Sequence, residues 1–234
     1  MDMPRGQLSY QRKSALTAGT ALMIMALAAA FSYGFAHGSL LVQGDAHATL
    51  QNMISRNNLF KAEIFGWIII LISDIVAAWS LYIFFEPINK NLSLLGAWLR
   101  LVYAAILGIA IMNLLFVLLL SSGTVYLSTF SPAQLGAQVM LHLQAFDSIW
   151  SVGLIIFSGH LLILGMLALR SGSVPKWIGI LLLIASIGYF LIHLCELFLA
   201  DYEGIRRSLE FVFIIPMTAG EMSLGLWMLF KGGK

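Results

Sequence analysis

Charge is scarce in this chain of 234 residues: only 10% of the residues are Asp, Glu, Lys or Arg, whereas an ordinary soluble domain has about 25%. Cysteine occurs once, at Cys195, which excludes a framework of intrachain disulfides. The formal net charge is only +2, so the chain lacks the strongly basic field of a nucleic-acid-binding protein, and no nucleic-acid partner is expected. A soluble globular domain and a secreted disulfide scaffold are therefore excluded as well.

Apolar residues make up 60% of the chain and occur in long runs. A helix that crosses the hydrocarbon layer of about 30 Å needs about 20 mostly apolar residues. The runs predict an all-α fold, a polytopic membrane bundle of six transmembrane helices in one membrane domain, 1–234, with the lipid bilayer as its partner. The predicted spans cover about 14–36, 59–85, 92–120, 139–169, 175–199 and 209–230.

The Lys and Arg residues near the span ends are distributed unevenly between the two sides. One side has eight, namely Arg5, Arg12, Lys13, Lys90, Arg170, Lys176, Lys231 and Lys234, and the other has four, namely Arg56, Lys61, Arg206 and Arg207. Because cytoplasmic loops carry the excess of Lys and Arg, this asymmetry predicts a multi-pass protein with both termini in the cytoplasm.

Two of the outer connections are expected to contain short helices at the membrane interface. Residues 37–58 read as a loop followed by an amphipathic stretch, with Leu50, Met53 and Ile54 on one side. Ser131 and Pro132 form a typical N-cap and first-turn pair. This pair predicts a further short helix before the fourth span.

Four ionisable side chains from four different spans are predicted to lie at nearly the same depth. At 1.5 Å per residue, Asp74, Arg100, His160 and Glu221 lie about 16, 12, 13 and 13 Å from the inner end of their spans. Ionisable groups inside a membrane usually face the bundle interior or a wet cavity. These four residues are therefore the candidate ligand-binding residues, forming a buried polar layer.

Asp74 and Arg100 are predicted to form an ion pair. Each lies 13 residues from Pro87, in the short connection between the second and third spans, so an antiparallel hairpin places them level with each other. Inserting an unpaired charged side chain at this depth would cost at least about 2.5–3.5 kcal/mol, so a charged residue here is expected to have a partner of opposite charge. The pair has a structural interpretation, as a lock between two helices, and a functional one.

A second set of polar residues lies toward the predicted outer ends of the spans. Within it, His193 and Glu196 are three residues apart on one helix face, and Asp147 shares a face with Ser151. The set either lines a mouth open to the outer side or consists of interface residues in contact with water. Its members are Glu63, Asn113, His142, Asp147, His193 and Glu196.

Several chemistries lack their sequence signature. The spacings typical of metal sites on one helix are absent, and His142 and His160 stand about 27 Å apart along one helix, so no metal site is predicted. Glycine-rich nucleotide loops and the serine nucleophile motif are also absent. The sequence identifies no cofactor, no catalytic residue and no oligomeric state.

Five stretches resemble one family of bacterial polytopic membrane proteins, the domain of unknown function 4386. They are HGSLLVQGDAHAT, the hairpin ISDIVAAWSLYIFFEPINKNLSLLGAWLRLVYAAILG, LSTFSPAQL, SGHLLILGMLALRSGSVPKWIGILLLIASIGYFL, and PMTAGEMSLGLWMLFKG. The resemblance covers about 11–232, and the family pattern has the same residue types at Asp74, Arg100, His160 and Glu221. It implies a compact helical bundle in the bacterial cytoplasmic membrane and implies no activity.

Three functional hypotheses follow from the polar layer. The first is a small-molecule or ion binding or transport module, in which Arg100 engages a small polar or anionic ligand and His160 titrates near neutral pH. The second is an intramembrane acid-base or metal-assisted enzyme, with His160 as base and Glu221 as acid. The third is a structural membrane partner protein, in which the layer only specifies how the helices pack.

Overall fold

The computed structural model describes residues 5–123, 125–199 and 202–233. Lys234, which contributes to the charge asymmetry above, lies outside these ranges. In the described part the regular structure is entirely helical, and six helices are long and apolar enough to cross a membrane. They are Tyr10–Leu40, Asn57–Phe85, Lys90–Leu120, Pro132–Arg170, Lys176–Phe198 and Gly204–Phe230. The predicted all-α fold with six membrane-spanning helices is confirmed.

The helices follow one another with short connections. In chain order they are α1 (Arg5–Ala29), a π-helical segment (Ala30–His37), α2 (Gly38–Leu40), α3 (Ala46–Ser55), α4 (Asn57–Phe85), α5 (Lys90–Leu120), a 3-10 turn (Val125–Thr129), α6 (Pro132–Arg170), α7 (Lys176–Phe198) and α8 (Tyr202–Phe230). The predicted ends of the second and third spans, at Phe85 and Leu120, agree with the ends of α4 and α5.

The first long helix extends beyond its predicted end at Ala36. Helical structure continues through the π-helical segment to Leu40, so the loop predicted to begin at His37 starts later. The hydropathy of the sequence falls at His37, but the imidazole is buried and bonded to a carboxyl group of α4. Because this polar group has a partner inside the protein, it does not have to end the helix.

The short helix α3 lies in the connection before α4, where the sequence predicts one of two interfacial helices, so the presence of a helix there is confirmed. Asp45 is its N-cap, and its side chain accepts a hydrogen bond from the backbone N–H of Ala48 at 2.8 Å. Leu50 and Met53 are buried as expected for one apolar face. Ile54, which was predicted on the same side, is 47% exposed.

The prediction of a separate short helix before the fourth span is wrong. The helix that Ser131 caps is α6 itself, which runs without a break from Pro132 to Arg170. The Ser131 hydroxyl accepts from the Gln134 backbone N–H at 3.3 Å, and Gln134 Oε1 accepts from the Ser131 N–H at 2.8 Å. This reciprocal capping box starts a helix. No proline follows Pro132 before the apolar run, so the helix is not interrupted there.

The described chain forms two compact units. The first falls within Met1–Met25, Ile72–Ala105 and Ser151–Lys234. Inside it, α7 and α8 pack along each other, and α6 meets α7 at Gly165 and Gly179. A Cβ atom on Gly165 would lie 3.0 Å from the Gly179 carbonyl oxygen, and one on Gly179 would lie 3.1 Å from the Gly165 oxygen. Glycine at both positions therefore lets the two backbones touch.

Arg12 joins the first helix to the end of the last one within this unit. Its guanidinium donates hydrogen bonds to the carbonyl oxygens of Met228, Leu229 and Gly232, at 2.9, 2.6 and 2.8 Å. The last carbonyl groups of a helix have no partner inside the helix. Arg12 thus caps the C-terminal end of α8 with a positive charge, which the helix dipole favours.

The second unit falls within Ala26–Leu71 and Ile106–Trp150. Its core contains large side chains from three long helices, including Trp67 from α4, Leu114 from α5 and Phe146 from α6. The π-helical segment packs closely on α4, because Ser32 Oγ occupies the space where a Cβ atom on Gly66 would lie. The single-domain organisation of 1–234 stays a prediction.

Candidate functional site

Arg100 is the centre of a buried cluster in the first unit. The guanidinium lies on α5 and pairs with Asp74 on α4, with Nε at 2.9 Å and Nη2 at 2.8 Å from Asp74 Oδ1. Both side chains are 0% exposed. The ion pair that the sequence predicts from the position of Pro87 is confirmed.

The remaining donors of Arg100 reach three more helices. Nη1 donates to Glu221 Oε1 on α8 at 2.7 Å and to His160 Nε2 on α6 at 3.0 Å. Nη2 also contacts the Met25 sulfur atom on α1 at 3.4 Å. A guanidinium has five N–H donors, and these five contacts account for all of them. The four residues of the predicted layer therefore belong to one hydrogen-bonded cluster.

The partners of His160 define which of its nitrogen atoms carries the proton. Nε2 faces an N–H donor of Arg100, so it must be the acceptor in that bond. Nδ1 lies 2.8 Å from the Gly96 carbonyl oxygen, which can only accept, so Nδ1 carries the hydrogen atom. The geometry thus describes a neutral imidazole with its single proton on Nδ1.

Aromatic rings surround the charged groups. The Phe157 ring lies under the guanidinium, with Arg100 Cζ 5.3 Å from the ring centroid, and it stacks on His160 at 5.6 Å. Tyr189 contacts Phe157 edge-on at 5.4 Å and lies within electrostatic range of the three charged residues. The rings exclude water from one side of the cluster, which strengthens its hydrogen bonds.

The two acids of the cluster each have a feature that the hydrogen bonds to Arg100 do not account for. Asp74 Oδ2 is buried and has no hydrogen-bond partner among the described protein atoms. Glu221 is the one acid of the cluster that reaches the surface, with 17% of its side chain exposed. These two groups are where the cluster could accept an additional positive charge.

A small cavity borders the cluster beside His160. Its volume is about 10 Å³, and its lining includes Tyr82, Ser93, Gly96 and His160. A site needs about 10–15 Å³ to hold one water molecule, so this cavity has room for one at most. A ligand larger than water does not fit there.

Members of the second predicted set have hydrogen-bond partners within each unit of the described structure, and whether they line a common mouth stays a prediction. Glu63 is bonded to His37, and Asn113 Oδ1 lies 3.1 Å from His142 Nδ1, both within the second unit. In the first unit, His193 Nδ1 lies 3.1 Å from Glu196 Oε2 and 3.2 Å from Ser151 Oγ. The remaining member, Asp147, acts electrostatically on His37.

Some of the groups around Arg100 could not be found from the sequence. Gly96 contributes a backbone carbonyl oxygen, which no residue type reveals, and Met25 and Phe157 resemble the many other apolar residues of the spans. The one available signal is that Gly96 lies one helical turn before Arg100, so it lies at the same face of α5. Among the described residues, no three His, Cys, Asp or Glu side chains converge as a metal ion would need.

Comparison with known proteins identifies the family of the chain. The family model described as Domain of unknown function (DUF4386) matches residues 17–232. The chain belongs to this family. It is also similar to an "Uncharacterized protein" of Archaeoglobus fulgidus, with 31% identity over 175 residues, covering 74% of this chain and 85% of the relative. No solved structure matches the chain significantly. The matched region includes all four residues of the cluster, and neither description names an activity.

Proposed function

We propose that this DUF4386 protein is an integral membrane protein that binds a proton at the Arg100 cluster, as part of an ion binding or transport module. The charge of the cluster is the observation that carries this proposal. Asp74 and Glu221 contribute two negative charges, Arg100 contributes one positive charge, and His160 is neutral by its hydrogen bonds. The sum is one negative charge.

A net charge of this kind is costly inside a membrane protein. Ionisable groups at depth are normally paired, because hydrocarbon and protein interior solvate charge poorly. One added proton makes the sum zero without any new protein contact. Glu221 is the acid of the cluster that a proton can reach, because its side chain is partly exposed and Arg100 bonds only to its Oε1.

The same contacts favour a proton over the small polar or anionic ligand that the sequence suggests. Arg100 has given all five of its N–H donors to Asp74, Glu221, His160 and Met25, so an anion would have to displace one of them. The adjoining cavity of about 10 Å³ would hold nothing larger than water.

The enzyme hypothesis has less support from this geometry. A general base must offer a lone pair to its substrate. The lone pair of His160 accepts a hydrogen bond from Arg100, and its other nitrogen is bonded to Gly96. Either bond would have to break before His160 could act on a substrate.

The structural hypothesis is the second candidate, and one observation favours it. The guanidinium of Arg100 connects five helices, since its contacts come from α1, α4, α6 and α8 while it lies on α5. A fully bonded guanidinium of this kind fixes the relative position of helices even when it exchanges no proton.

Infrared difference spectroscopy between alkaline and acidic pH separates the two candidates. In the full-length protein in detergent, we expect the carbonyl band of one buried carboxylic acid to appear on acidification and to be absent in Glu221→Gln. The matched control is Glu210→Gln on the same helix, whose carboxylate bonds to Arg206 near the surface, and it should keep the band.

Two results would overturn proton binding. One is a wild-type protein that shows no protonated carboxyl band at any pH at which it stays folded. The other is a band that persists in both Glu221→Gln and Asp74→Asn. If binding is found, reconstituted vesicles with a pH gradient test transport: the wild type should dissipate the gradient faster than Glu221→Gln, and equal rates would leave a binding module only.

We also propose that both termini lie in the cytoplasm of a cell membrane. The eight Lys and Arg residues on one side of the spans, against four on the other, support this orientation. Reaction of single cysteine variants with a membrane-impermeant reagent tests it, with Cys195 replaced by Ser. Lys13→Cys should react only after the membrane is opened, and Lys61→Cys should react in intact cells.

A further inference from the structure

A second group of buried polar side chains lies in the second unit, where the π-helical segment packs on α4. His37 Nδ1 and Glu63 Oε1 are 2.8 Å apart, and Glu63 is 0% exposed. This contact uses one oxygen of the carboxyl group, Oε1, and leaves Oε2 without a hydrogen-bond partner among the described protein atoms.

Three buried polar atoms in this region have no hydrogen-bond partner among the described protein atoms. They are Glu63 Oε2, the indole nitrogen Nε1 of Trp67 and the hydroxyl oxygen of Ser32. Ser32 and Glu63 are 0% exposed and Trp67 is 1% exposed. Buried polar groups in native proteins are nearly always bonded to protein or to ordered water, so three unpaired groups in one region indicate a bound molecule.

The positions of these residues place the three side chains along the same part of α4. Glu63 and Trp67 are four residues apart on α4 and therefore share a helix face. Ser32 touches α4 at Gly66, between them in the chain, where its hydroxyl fills the space a side chain would need. Ser32 and His37 are five residues apart, which is the hydrogen-bond spacing of a π-helix, and they contact α4 at Gly66 and Glu63.

The chemistry of the three groups matches one water molecule. The indole N–H can only donate, an ionised carboxylate oxygen can only accept, and the serine hydroxyl can do both. A water molecule at this place accepts from Trp67, donates to Glu63 and forms its third bond with Ser32. Three hydrogen bonds are the typical number for a buried water. A metal cation fits poorly, because the indole N–H is a donor and not a ligand.

Aromatic rings surround these polar groups. The Trp67 ring contacts Trp150 at 4.9 Å and Phe146 at 5.0 Å, in both cases edge to face. Tyr33 stacks on His37 at 5.8 Å and meets Trp67 at 6.3 Å. These rings pack against one another, as in a protein core, so a small occupant is favoured over an organic ligand.

We propose that Glu63, Trp67 and Ser32 hold one water molecule and that this water and the Glu63–His37 pair form a second proton-binding site, separate from the Arg100 cluster. When Oε2 of Glu63 is protonated it donates to the water, which then turns its own hydrogen toward Ser32. His37 keeps its bond to Oε1 throughout. Asp147 on α6 also acts on His37 and adds negative potential at the site.

The π-helical geometry supports a functional role for this site. Segments with hydrogen bonds between residues five apart are rare, and they occur frequently at functional sites. Here the segment is Ala30–His37, eight residues long. It places Ser32 and His37 on the side facing α4, whereas an α-helix would rotate one of them away.

Nuclear magnetic resonance of the full-length protein with 15N-labelled indole groups tests the site. The Trp67 signal is assigned by its loss in Trp67→Phe, and Trp79→Phe, which removes an indole that is 60% exposed, is the matched control for the substitution. We expect a through-space contact between the Trp67 indole proton and a bound water. We also expect its chemical shift to change with pH and this change to disappear in Glu63→Gln.

The wild type alone can overturn the proposal. A Trp67 indole proton without a water contact would exclude the bound water, and a chemical shift constant with pH would exclude the proton site, whether or not Glu63→Gln folds. A pH-dependent shift that persists in a folded Glu63→Gln would assign the titration to another group and would equally overturn the site. None of these outcomes depends on Glu221, so this proposal and the proposed function fail independently.

Discussion

Arg100 bonds to a single oxygen of Asp74 through two nitrogen atoms, Nε at 2.9 Å and Nη2 at 2.8 Å. This is different from the usual side-by-side arrangement, in which each nitrogen has its own oxygen. The arrangement leaves Nη1 for Glu221 and His160 and leaves Asp74 Oδ2 unpaired. Arg100 therefore forms ion pairs with two acids, and its replacement would leave both without their positive partner.

The first prediction concerns this shared cation. Arg100→Leu should lower the free energy of unfolding by about 3–5 kcal/mol, because it leaves buried carboxylates without their partner. Arg100→Leu combined with Asp74→Leu should be less destabilised than Arg100→Leu alone, since the fully buried acid is also removed. Thermal unfolding in detergent measures both effects, and Lys13→Leu controls for loss of a cation at an exposed position. Additive losses in the double variant would contradict the coupling.

The second prediction concerns the crossing of α6 and α7. Gly179→Ala should destabilise the protein by about 1–3 kcal/mol, because the new methyl group would meet the Gly165 carbonyl oxygen and the Leu169 side chain. Gly108→Ala is the matched control, since its methyl group would be 3.8 Å from the nearest atom, an ordinary contact. Equal melting temperatures for the two variants would show that the helices do not approach as closely as described.

The third prediction concerns the cap on α8. Arg12→Ala should reduce the free energy of unfolding by about 2 kcal/mol, because it removes charged hydrogen bonds to three carbonyl groups at the helix end. Lys13→Ala removes the same charge from the adjacent, exposed position and should have little effect. Hydrogen exchange of the last turn of α8 gives the local measurement. Unchanged exchange in Arg12→Ala would mean that the cap contributes nothing.

The fourth prediction concerns pH and the connection after α4. The pKa of Glu86 is lowered from its ordinary value, mainly because the Lys90 ammonium group bonds to the carboxylate and also because Tyr82 donates to it. A lowered folded-state pKa stabilises the protein above the ordinary carboxyl range, and this contribution is lost as pH falls through the lowered pKa. The melting temperature of the wild type should therefore fall toward that of Glu86→Gln on acidification. The difference is expected to be small, since the pair is exposed. A difference that grows at acidic pH would contradict the assignment.

The hairpin of α4 and α5 shows how much of the structure follows from sequence. The two apolar runs and Pro87 between them determine two antiparallel helices, and equal spacing from Pro87 makes Asp74 and Arg100 level. The depth of polar residues likewise groups His160 and Glu221 with them. These predictions depend only on helix geometry and on the cost of an isolated charge in lipid.

The contacts of His37 show where such reasoning fails. A hydropathy profile ends the first span at Ala36, so the sequence assigns His37 to a loop, although the imidazole is buried against Glu63. The profile scores each residue alone and cannot register that a polar group has a partner on another helix. The π-helical segment also changes which residues face α4. No residue type in Ala30–His37 indicates that the α-helical period ends there.

The unbroken course of α6 has a practical consequence for work on the living cell. With 39 residues, this rod is about 58 Å long, nearly twice the thickness of the oily interior of a bilayer. Unless it is strongly inclined, several turns must project into the aqueous phase. The turns that begin at Pro132 could carry an epitope or a fluorophore for microscopy, because they lie far along the helix from His160, the α6 residue of the buried cluster.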